Sequence, residues 1–373
     1  MPTQDTNHKS NNFDFLRIVA ALIVLFSHQY ALTGFDEPKI LGTHTLGTVG
    51  VLIFFAISGF LVTQSWLNDP HIIRFATKRF LRIWPGFAVA IALCTFALGP
   101  AVTKLSLVDY LNHPGTADYF FKNLQFSLRD VLPLNFDGNA LPTAINGSLW
   151  TIPLEIQCYA ILALLGISKI LNTRWPILIA TIFFGLLYAS DLLKFSSNTY
   201  WLKEYYPLLE FGLYFFSGSI IYLFAKSENF ATAAILLWLV GALAAYANMS
   251  HLFFLLTIPI TVIMIGQKSI PYLNQTGRFG DISYGIYIYA FPVQQVVVWR
   301  LQHKVDWWLL LVTATLITII LALLSWHFIE KWALKLKLLF KTTELDLMKQ
   351  KFKKEMVCKI CKNESKILME ILD

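Results

Sequence analysis

The stretch FDFLRIVAALIVLFSHQYALTG, residues 13–34, is an apolar run near the beginning of the chain that is long enough to cross a membrane. A helix needs about 20 predominantly apolar residues to span the hydrocarbon core of a bilayer. Runs of this kind recur along the whole sequence, so a removable signal peptide does not explain them. The pattern predicts an all-α integral membrane protein with about ten transmembrane helices. The predicted spans are residues 13–34, 46–67, 83–101, 148–168, 175–193, 207–225, 230–248, 251–267, 281–299 and 307–330.

The composition also favours a membrane protein. Of the 373 residues, 56% are hydrophobic and only 14% are charged, whereas soluble domains carry roughly 25% charged residues. The formal net charge is +7, but no nucleic-acid-binding motif accompanies it, and basic residues of membrane proteins collect in cytoplasmic loops. We therefore expect membrane lipids around the chain and no nucleic-acid partner.

The distribution of lysine and arginine predicts the topology. With the N-terminus in the cytoplasm, the inner loops are richer in basic residues than the outer loops, and the lysine-rich end of the chain returns to the inside. We expect both termini in the cytoplasm and the long loop 102–147 outside. The chain then divides into a transmembrane domain, residues 1–340, and a charged cytoplasmic tail, residues 341–373. Cys358 and Cys361 in this tail have no further zinc-type ligands following them, and no metal is predicted.

Two ionisable residues of the first predicted span share a helix face. Arg17 and His28 are eleven residues apart, which returns them to nearly the same face with a separation of about 16 Å along the axis. Ionisable groups inside a bilayer are expensive and therefore indicate function. Alternatively, His28 hydrogen-bonds a neighbouring helix and Arg17 anchors the span at the membrane surface.

The fourth predicted span buries a carboxylate, Glu155, which shares a helix face with Ser148 and Tyr159. Counted inward from the outer helix ends, His28 and Glu155 both lie near 10 Å depth, so the two side chains are able to meet. An imidazole accepts a proton near neutral pH, and a buried carboxylate orients it. Because equal depth says nothing about helix rotation, two separately satisfied polar residues remain the alternative.

A basic stripe precedes the third predicted span: His71, Arg74, Lys78 and Arg82, with Arg79 beside them. Such a stripe anchors the inner face of a membrane protein or attracts anionic lipid. Two arginines three residues apart also form a clamp for phosphate oxygens, which indicates a phosphorylated ligand arriving from the cytoplasm. Both interpretations stay open.

Small and aromatic residues mark two further positions. Ser58 and Gly59 in the second span allow another backbone or a slender ligand to come close, although small residues in membrane helices are more often packing contacts. Tyr284, at the polar and aromatic start of the ninth span, belongs either to an interfacial belt or to a ligand-binding wall.

These motifs occur in a recognisable order. They are Arg17 with His28, Phe55-Ala-Ile-Ser58-Gly59-Phe60, Arg79-Phe-Leu-Arg82, Ser148-Leu-Trp150 with Glu155, Ile282-Ser283-Tyr284-Gly285-Ile-Tyr287, and Trp326-His-Phe-Ile-Glu330-Lys331. In this order they resemble the membrane acyltransferase-3 family over residues 13–335. The resemblance implies a bacterial cytoplasmic (inner) membrane protein of about ten helices. Such a protein transfers an acyl group, usually acetyl, from cytoplasmic acyl-CoA to a hydroxyl of an envelope polysaccharide or lipid-linked saccharide.

The resemblance also implies roles for individual residues. The predicted catalytic residues are His28 and Glu155. The predicted donor-binding residues are Arg17, Ser58, Arg79 and Arg82. The predicted acceptor-binding residues are Trp150, Tyr159 and Tyr284. A transporter or flippase with a proton relay between His28 and Glu155 is the alternative function; the absence of a clear duplication between the two halves favours the enzyme.

Overall fold

A computed structural model describes residues 11–128, 132–133, 136, 138–192, 200–225, 230–301 and 304–337. The predicted tail 341–373, with Cys358 and Cys361, lies outside the described residues. Residues 129–131, 134–135 and 137 of the long loop also lie outside them. The predicted division into two domains therefore stays a prediction.

The described chain is helical apart from one short antiparallel hairpin, in which β1 (Lys39–Ile40) pairs with β2 (His44–Thr45). The α-helices are α1 Phe13–Leu32, α2 Leu46–Asn68, α3 Ile72–Leu93, α4 Gly99–Val102, α5 Leu107–Asn112, α6 Pro114–Leu124, α7 Ile152–Ile167, α8 Arg174–Leu192, α9 Tyr200–Phe224, α10 Phe230–Tyr246, α11 Ser250–Gln267, α12 Ser283–Leu301 and α13 Trp307–Ser325. A π-helical segment, Cys94–Leu98, joins α3 to α4, and a second one, Trp326–Glu330, follows α13.

A helix lies at each of the ten predicted spans. By length and composition, seven helical segments in the described chain are able to cross a membrane, and α10 and part of α8 form shorter apolar helices. Helix α12 is not among the seven; it carries Gln294 and Gln295, which are fully buried within the protein. The structure therefore supports an all-α membrane fold, while the count of ten spans and the sides of the termini stay predictions.

The third span begins earlier than the predicted residue 83. Helix α3 starts at Ile72, and with the π-helical segment and α4 it forms one continuous apolar segment to Val102. The side chain of His71 accepts a hydrogen bond from the Arg74 backbone N–H and so caps this helix at its N-terminus. The basic stripe consequently belongs to the same rigid helix as the span that follows it.

Helices α2 and α9 pack with their backbones in close contact. A Cβ atom added at Gly59 would lie 1.8 Å from the carbonyl oxygen of Phe215, and one added at Gly218 would lie 2.2 Å from that of Ala56. Apolar burial contributes little to helix association within lipid, so close packing across small residues stabilises such contacts. Gly59 is therefore a packing residue, whereas the neighbouring Ser58 lines a cavity that is described in the next subsection.

We expect Gly59→Ala to destabilise the protein by about 1–3 kcal/mol or more. The added methyl group overlaps a backbone carbonyl, which cannot move aside by a change of side-chain rotamer. Thermal unfolding of the purified protein in detergent measures this change. Gly185→Ala on α8 is the matched control, since no atom lies within 4 Å of its added Cβ. An equal loss of stability in both variants would contradict the assignment of Gly59 to the α2–α9 contact.

Candidate active site

A cavity of about 120 Å³ lies between five helices, α1, α2, α3, α7 and α12. Seven of the nine predicted site residues line it: Arg17, Ser58, Arg79, Arg82, Glu155, Tyr159 and Tyr284. Apolar side chains such as Phe54, Phe55 and Ile83 complete the wall. A cavity with a few convergent polar groups in an apolar lining is typical of a small-molecule site.

Glu155 is held by two hydroxyl groups. The Ser58 hydroxyl donates to Glu155 Oε1 at 2.7 Å, and the Tyr159 hydroxyl donates to the same oxygen at 2.5 Å. The two hydroxyl oxygens are 3.0 Å apart. Glu155 and Tyr159 are four residues apart on α7, one turn of helix, which places both on the face toward α2. The carboxylate is thus oriented, and its Oε2 accepts no hydrogen bond from the residues that the structure describes.

Asp281 joins two of the arginines. Its Oδ2 accepts from Arg17 Nη1 at 2.5 Å and from Arg82 Nη2 at 2.6 Å. Arg17 also pairs with Asp14 at 3.1 Å, and Arg82 Nη1 lies 3.6 Å from Oε2 of the buried Glu330. Buried charges are tolerated when they are paired in this way. Arg17 and Arg82 are therefore largely neutralised within the protein.

Arg79 differs from its neighbours on α3. Within the described part of the chain no carboxylate forms an ion pair with it. Its guanidinium carbon lies 5.9 Å from the ring centroids of both Phe75 and Tyr159, and Nη2 is 3.4 Å from the Ser65 hydroxyl. Its Nε is buried without a hydrogen-bond partner. Arg79 thus has no close carboxylate partner among the described residues, although its charge interacts with that of Glu155 in the same cavity, and it is the cavity arginine most available to an anionic ligand.

The rest of the basic stripe has a different environment. Arg74 and Lys78 both pair with Asp69, which ends α2, at 2.5 and 2.6 Å. The hydrogen bond from Arg74, with help from Lys78, lowers the pKa of Asp69 to about 2. The structure therefore divides the stripe: Arg74 and Lys78 form a local ion cluster at the end of α2, and Arg79 faces the cavity.

The structure does not bring His28 and Glu155 into contact. The His28 ring packs against the ring of Phe291, with centroids 5.3 Å apart and planes at 79°. Its Nδ1 is buried without a hydrogen-bond partner. The similar predicted depth of the two residues in the membrane does not bring them together, because His28 faces α12 whereas Glu155 faces α2. A direct proton relay between these two side chains has no support in this geometry.

His28 nevertheless lies near one end of the cavity. Tyr287 lines the cavity, and Phe291, which contacts His28, follows Tyr287 by four residues on α12. Four residues advance a helix by about 6 Å. His28 therefore lies roughly one helical turn beyond the cavity wall at Tyr287. A Cβ added at Gly147 would lie 2.7 Å from the Phe291 ring, so the segment preceding α7 closes over the same layer.

Trp150 is the other predicted site residue that does not line the cavity. Its side chain is 46% exposed and packs against the ring of Phe211 on α9, with centroids 5.5 Å apart. The helical turn Leu149–Thr151 instead directs Thr151 inward, where its hydroxyl is 2.6 Å from that of Tyr287. The acceptor-binding role of Trp150 stays a prediction.

Comparison with known proteins identifies the type of enzyme. The model of the acyltransferase domain that defines the acyltransferase-3 family matches residues 10–327. The chain belongs to the acyltransferase-3 family. It is therefore an acyltransferase, and its several apolar helices make it a multi-pass membrane protein. This membership decides against the transporter or flippase that the sequence left open.

Two relatives illustrate the similarity. An "O-acetyl transferase" of Shigella phage Sf6 is 34% identical over 335 residues, which cover 87% of this chain and 96% of that protein. "Nodulation protein 10" of Rhizobium leguminosarum bv. viciae is 29% identical over 362 residues, covering 88% of this chain and 94% of the relative. No solved structure matches the chain significantly.

Sequence reasoning did not assign site roles to several residues of this acyltransferase. Glu330 and Tyr287 occur in the quoted motifs and Asp281 directly precedes one of them, but each has a partner on another helix. The sequence does carry a signal for the two carboxylates: a carboxylate in an apolar segment is energetically costly and therefore requires a cationic partner. Lys337 was also assigned no role from the sequence. It lies close enough to Lys78, Arg79 and Arg82 for their charges to interact.

We expect Asp281→Asn to lower the free energy of unfolding by about 2 kcal/mol, because a neutral amide cannot pair with two guanidinium groups. The cost is below that of a fully buried pair, since the Asp281 side chain is 17% exposed and Arg17 and Arg82 retain their other carboxylates. Thermal unfolding in detergent measures the change.

Asp118→Asn is the control for this substitution, because Asp118 forms an exposed ion pair with Lys122. Exposed pairs contribute only about 0–1 kcal/mol. Equal unfolding temperatures for the two variants would show that Asp281 does not hold the arginines together.

Proposed function

We propose that this protein is a membrane O-acyltransferase that transfers an acyl group, in the first instance acetyl, from acyl-CoA to a hydroxyl of a bacterial envelope polysaccharide or lipid-linked saccharide. The observation that carries the proposal is the cavity that combines Arg79 with the Ser58, Glu155 and Tyr159 hydrogen-bonded group. Similarity to a relative named for O-acetyl transfer supports the acetyl group and the oxygen acceptor.

The donor side of the proposal rests on positive charge. Arg79 has no close carboxylate partner in the described part of the chain, and the charge of Lys337 interacts with the charges of Arg79 and Arg82. The donor cofactor carries several phosphate groups, and arginine binds phosphate through charge-assisted, often bidentate, hydrogen bonds. We place these phosphates against Arg79, with the thin pantetheine arm entering the cavity past Ser58.

The chemical step centres on His28. In direct transfer the acceptor oxygen attacks the thioester carbonyl while His28 takes the hydroxyl proton, the carbon–sulfur bond breaks, and the proton passes to the departing CoA thiolate. In the alternative, a His28 nitrogen attacks the thioester carbonyl and the carbon–sulfur bond breaks to release the CoA thiolate; the acceptor oxygen then attacks the acyl group, the bond to His28 breaks, and the hydroxyl proton passes to the thiolate. Both routes use the unpartnered nitrogen of His28. Glu155 acts at a distance from His28, by holding the hydroxyl groups at the cavity wall.

The proposed topology separates the two substrates. With both termini cytoplasmic and residues 102–147 outside, the Arg79 end of α3 faces the cytoplasm, where acyl-CoA occurs. The segment before α7, which packs on Phe291, faces the outside, where we place the glycan acceptor. We further place the protein in the bacterial cytoplasmic (inner) membrane. The acyl group would then cross the membrane layer without the cofactor crossing it.

Reconstitution into liposomes tests the function. Protein is supplied with radiolabelled acetyl-CoA and lipid-linked saccharides extracted from a strain that lacks the gene, and the products are analysed by mass spectrometry. We expect label on the saccharide as an alkali-labile ester, and restoration of the same modification when the gene is returned to that strain. Transfer of label to an amine, or saccharide movement without acylation, would contradict the proposal.

A further inference from the structure

A second polar cluster lies apart from the acyl-transfer cavity and involves none of the predicted site residues. It consists of His44 in strand β2, Glu210 on α9 and His251 in the first turn of α11. One ligand-type atom from each residue lies within 4.8 Å of the other two. Three segments that are distant in sequence thus bring two imidazoles and one carboxylate together.

His44 lacks the hydrogen bonds that a buried imidazole normally makes. Its side chain is only 5% exposed, and Nε2 is buried without a partner. Its Nδ1 lies 3.7 Å from Glu210 Oε1, beyond hydrogen-bond distance. The ring packs against His251, with centroids 4.6 Å apart, and against Phe254 at 5.0 Å. Neither ring nitrogen of His44 therefore has a hydrogen-bond partner among the described residues, which leaves the Nδ1 that faces Glu210 available to a ligand.

Two tyrosines surround the cluster. The hydroxyl of the buried Tyr188 donates to Glu210 Oε1 at 2.8 Å and lies 3.1 Å from Nδ1 of His251. Tyr214, one turn after Glu210 on α9, has a buried hydroxyl without a hydrogen-bond partner. The surroundings therefore supply a second unsatisfied polar atom and a hydroxyl close to two of the three ligand atoms.

We propose that His44, Glu210 and His251 bind a divalent transition-metal ion, with zinc as the best fit. Zinc bonds of about 2.0–2.2 Å to nitrogen and oxygen place tetrahedral ligand atoms roughly 3.3 Å apart. The 3.7 Å between His44 Nδ1 and Glu210 Oε1 is close to this value, while the widest separation among the three ligand atoms, up to 4.8 Å, has to shorten by side-chain adjustment. Two imidazoles and one carboxylate favour zinc over calcium or magnesium, which prefer oxygen ligands. The Tyr188 hydroxyl or a water molecule fills the fourth position.

The ion would fasten the β1–β2 hairpin to α9 and α11. This hairpin connects α1, which carries His28, to α2, which carries Ser58. One contact between the hairpin and α11 is the hydrogen bond from the Ser250 hydroxyl to the Leu41 carbonyl, at 3.3 Å. A coordination bond from each of three segments fixes such a connection more firmly. The site is structural and takes no part in the acyl-transfer step.

Metal analysis of the full-length protein tests the proposal. The protein is purified in detergent with a histidine-free tag, stripped with chelator, supplied with zinc and desalted. We expect about one tightly bound zinc ion per chain and a rise of several degrees in the unfolding temperature on zinc addition. Cobalt in place of zinc should give the visible absorption of a tetrahedral site. The sequence expectation of no metal would then be wrong.

Variants locate the ion. His44→Ala and Glu210→Gln should each weaken zinc affinity by roughly ten-fold or more and remove the thermal shift, since each loses one ligand. Glu210→Gln preserves side-chain shape, so its metal loss is not attributable to misfolding if its size-exclusion profile is normal. The control His327→Ala removes an exposed imidazole bonded to the Leu323 carbonyl and should bind zinc normally.

The tail cysteines provide the second control. A variant with both Cys358→Ser and Cys361→Ser should retain the zinc ion and its thermal shift. Loss of zinc in this variant with normal binding in His44→Ala would place the metal in the tail and overturn the proposal. Absence of stoichiometric metal from the wild-type protein after zinc addition would also overturn it. In that event the cluster is a metal-free hydrogen-bonded group.

Discussion

Replacing His28 with alanine should lower acyl-transfer turnover by roughly two to four orders of magnitude, the range in which a positioned general acid–base group contributes. The His28 ring lies one turn beyond the cavity wall at Tyr287, and its Nδ1 is buried without a partner. An imidazole that forms no hydrogen bond with the described residues is available to the substrates. Turnover of acetyl-CoA by purified protein in liposomes measures the effect.

The His28 variants need a test that separates chemistry from folding. His28→Gln should be inactive as well, because an amide forms hydrogen bonds but does not shuttle a proton or carry an acyl group. Expression and unfolding temperature should stay close to those of the wild type, since His28 makes no hydrogen bond with the described residues. The exposed His327→Ala serves as an active control. Retention of more than about a tenth of wild-type turnover in His28→Ala would exclude its catalytic role.

Replacing Arg79 with alanine should raise the apparent constant for acyl-CoA by roughly one to two orders of magnitude while leaving the acceptor constant nearly unchanged. Charge-assisted hydrogen bonds typically contribute about 1.5–3 kcal/mol each. No carboxylate of the described chain lies within ion-pair distance of Arg79, so the substitution breaks no close ion pair, although Glu155 loses a nearby positive charge. Varying each substrate separately in the liposome assay measures the two constants.

Arg74→Ala is the matched control, because Arg74 lies on the same helix but pairs with Asp69 away from the cavity. Arg79→Lys should recover part of the donor affinity, since lysine retains the charge but loses the bidentate geometry. Arg82→Ala is less informative: it leaves the buried Glu330 without a cation and Asp281 with Arg17 alone, so loss of stability accompanies any loss of binding. An unchanged donor constant in Arg79→Ala would mean that the phosphates bind elsewhere.

Sequence reasoning found most of the cavity because the relevant spacings lie within single helices. Arg79 and Arg82 are three residues apart on α3, and Glu155 and Tyr159 are four apart on α7, so each pair shares a face regardless of what packs against it. The motifs that contain these residues then indicated the acyltransferase-3 family. Trp150 does not line the cavity, because the short helical turn at Leu149–Thr151 directs Thr151 inward and leaves the indole 46% exposed; its acceptor-binding role stays a prediction.

By itself, the sequence determined the helices and their faces: a lipid environment forces each apolar run to satisfy its own backbone hydrogen bonds, which is a local requirement. Only the tertiary structure decided which faces meet. Glu155 is hydrogen-bonded to Ser58 on α2 rather than facing His28, and Arg82 pairs with Asp281, 199 positions away. Helix rotation and neighbour choice depend on packing over the whole bundle, as at Gly59 against α9, and no single span contains that information.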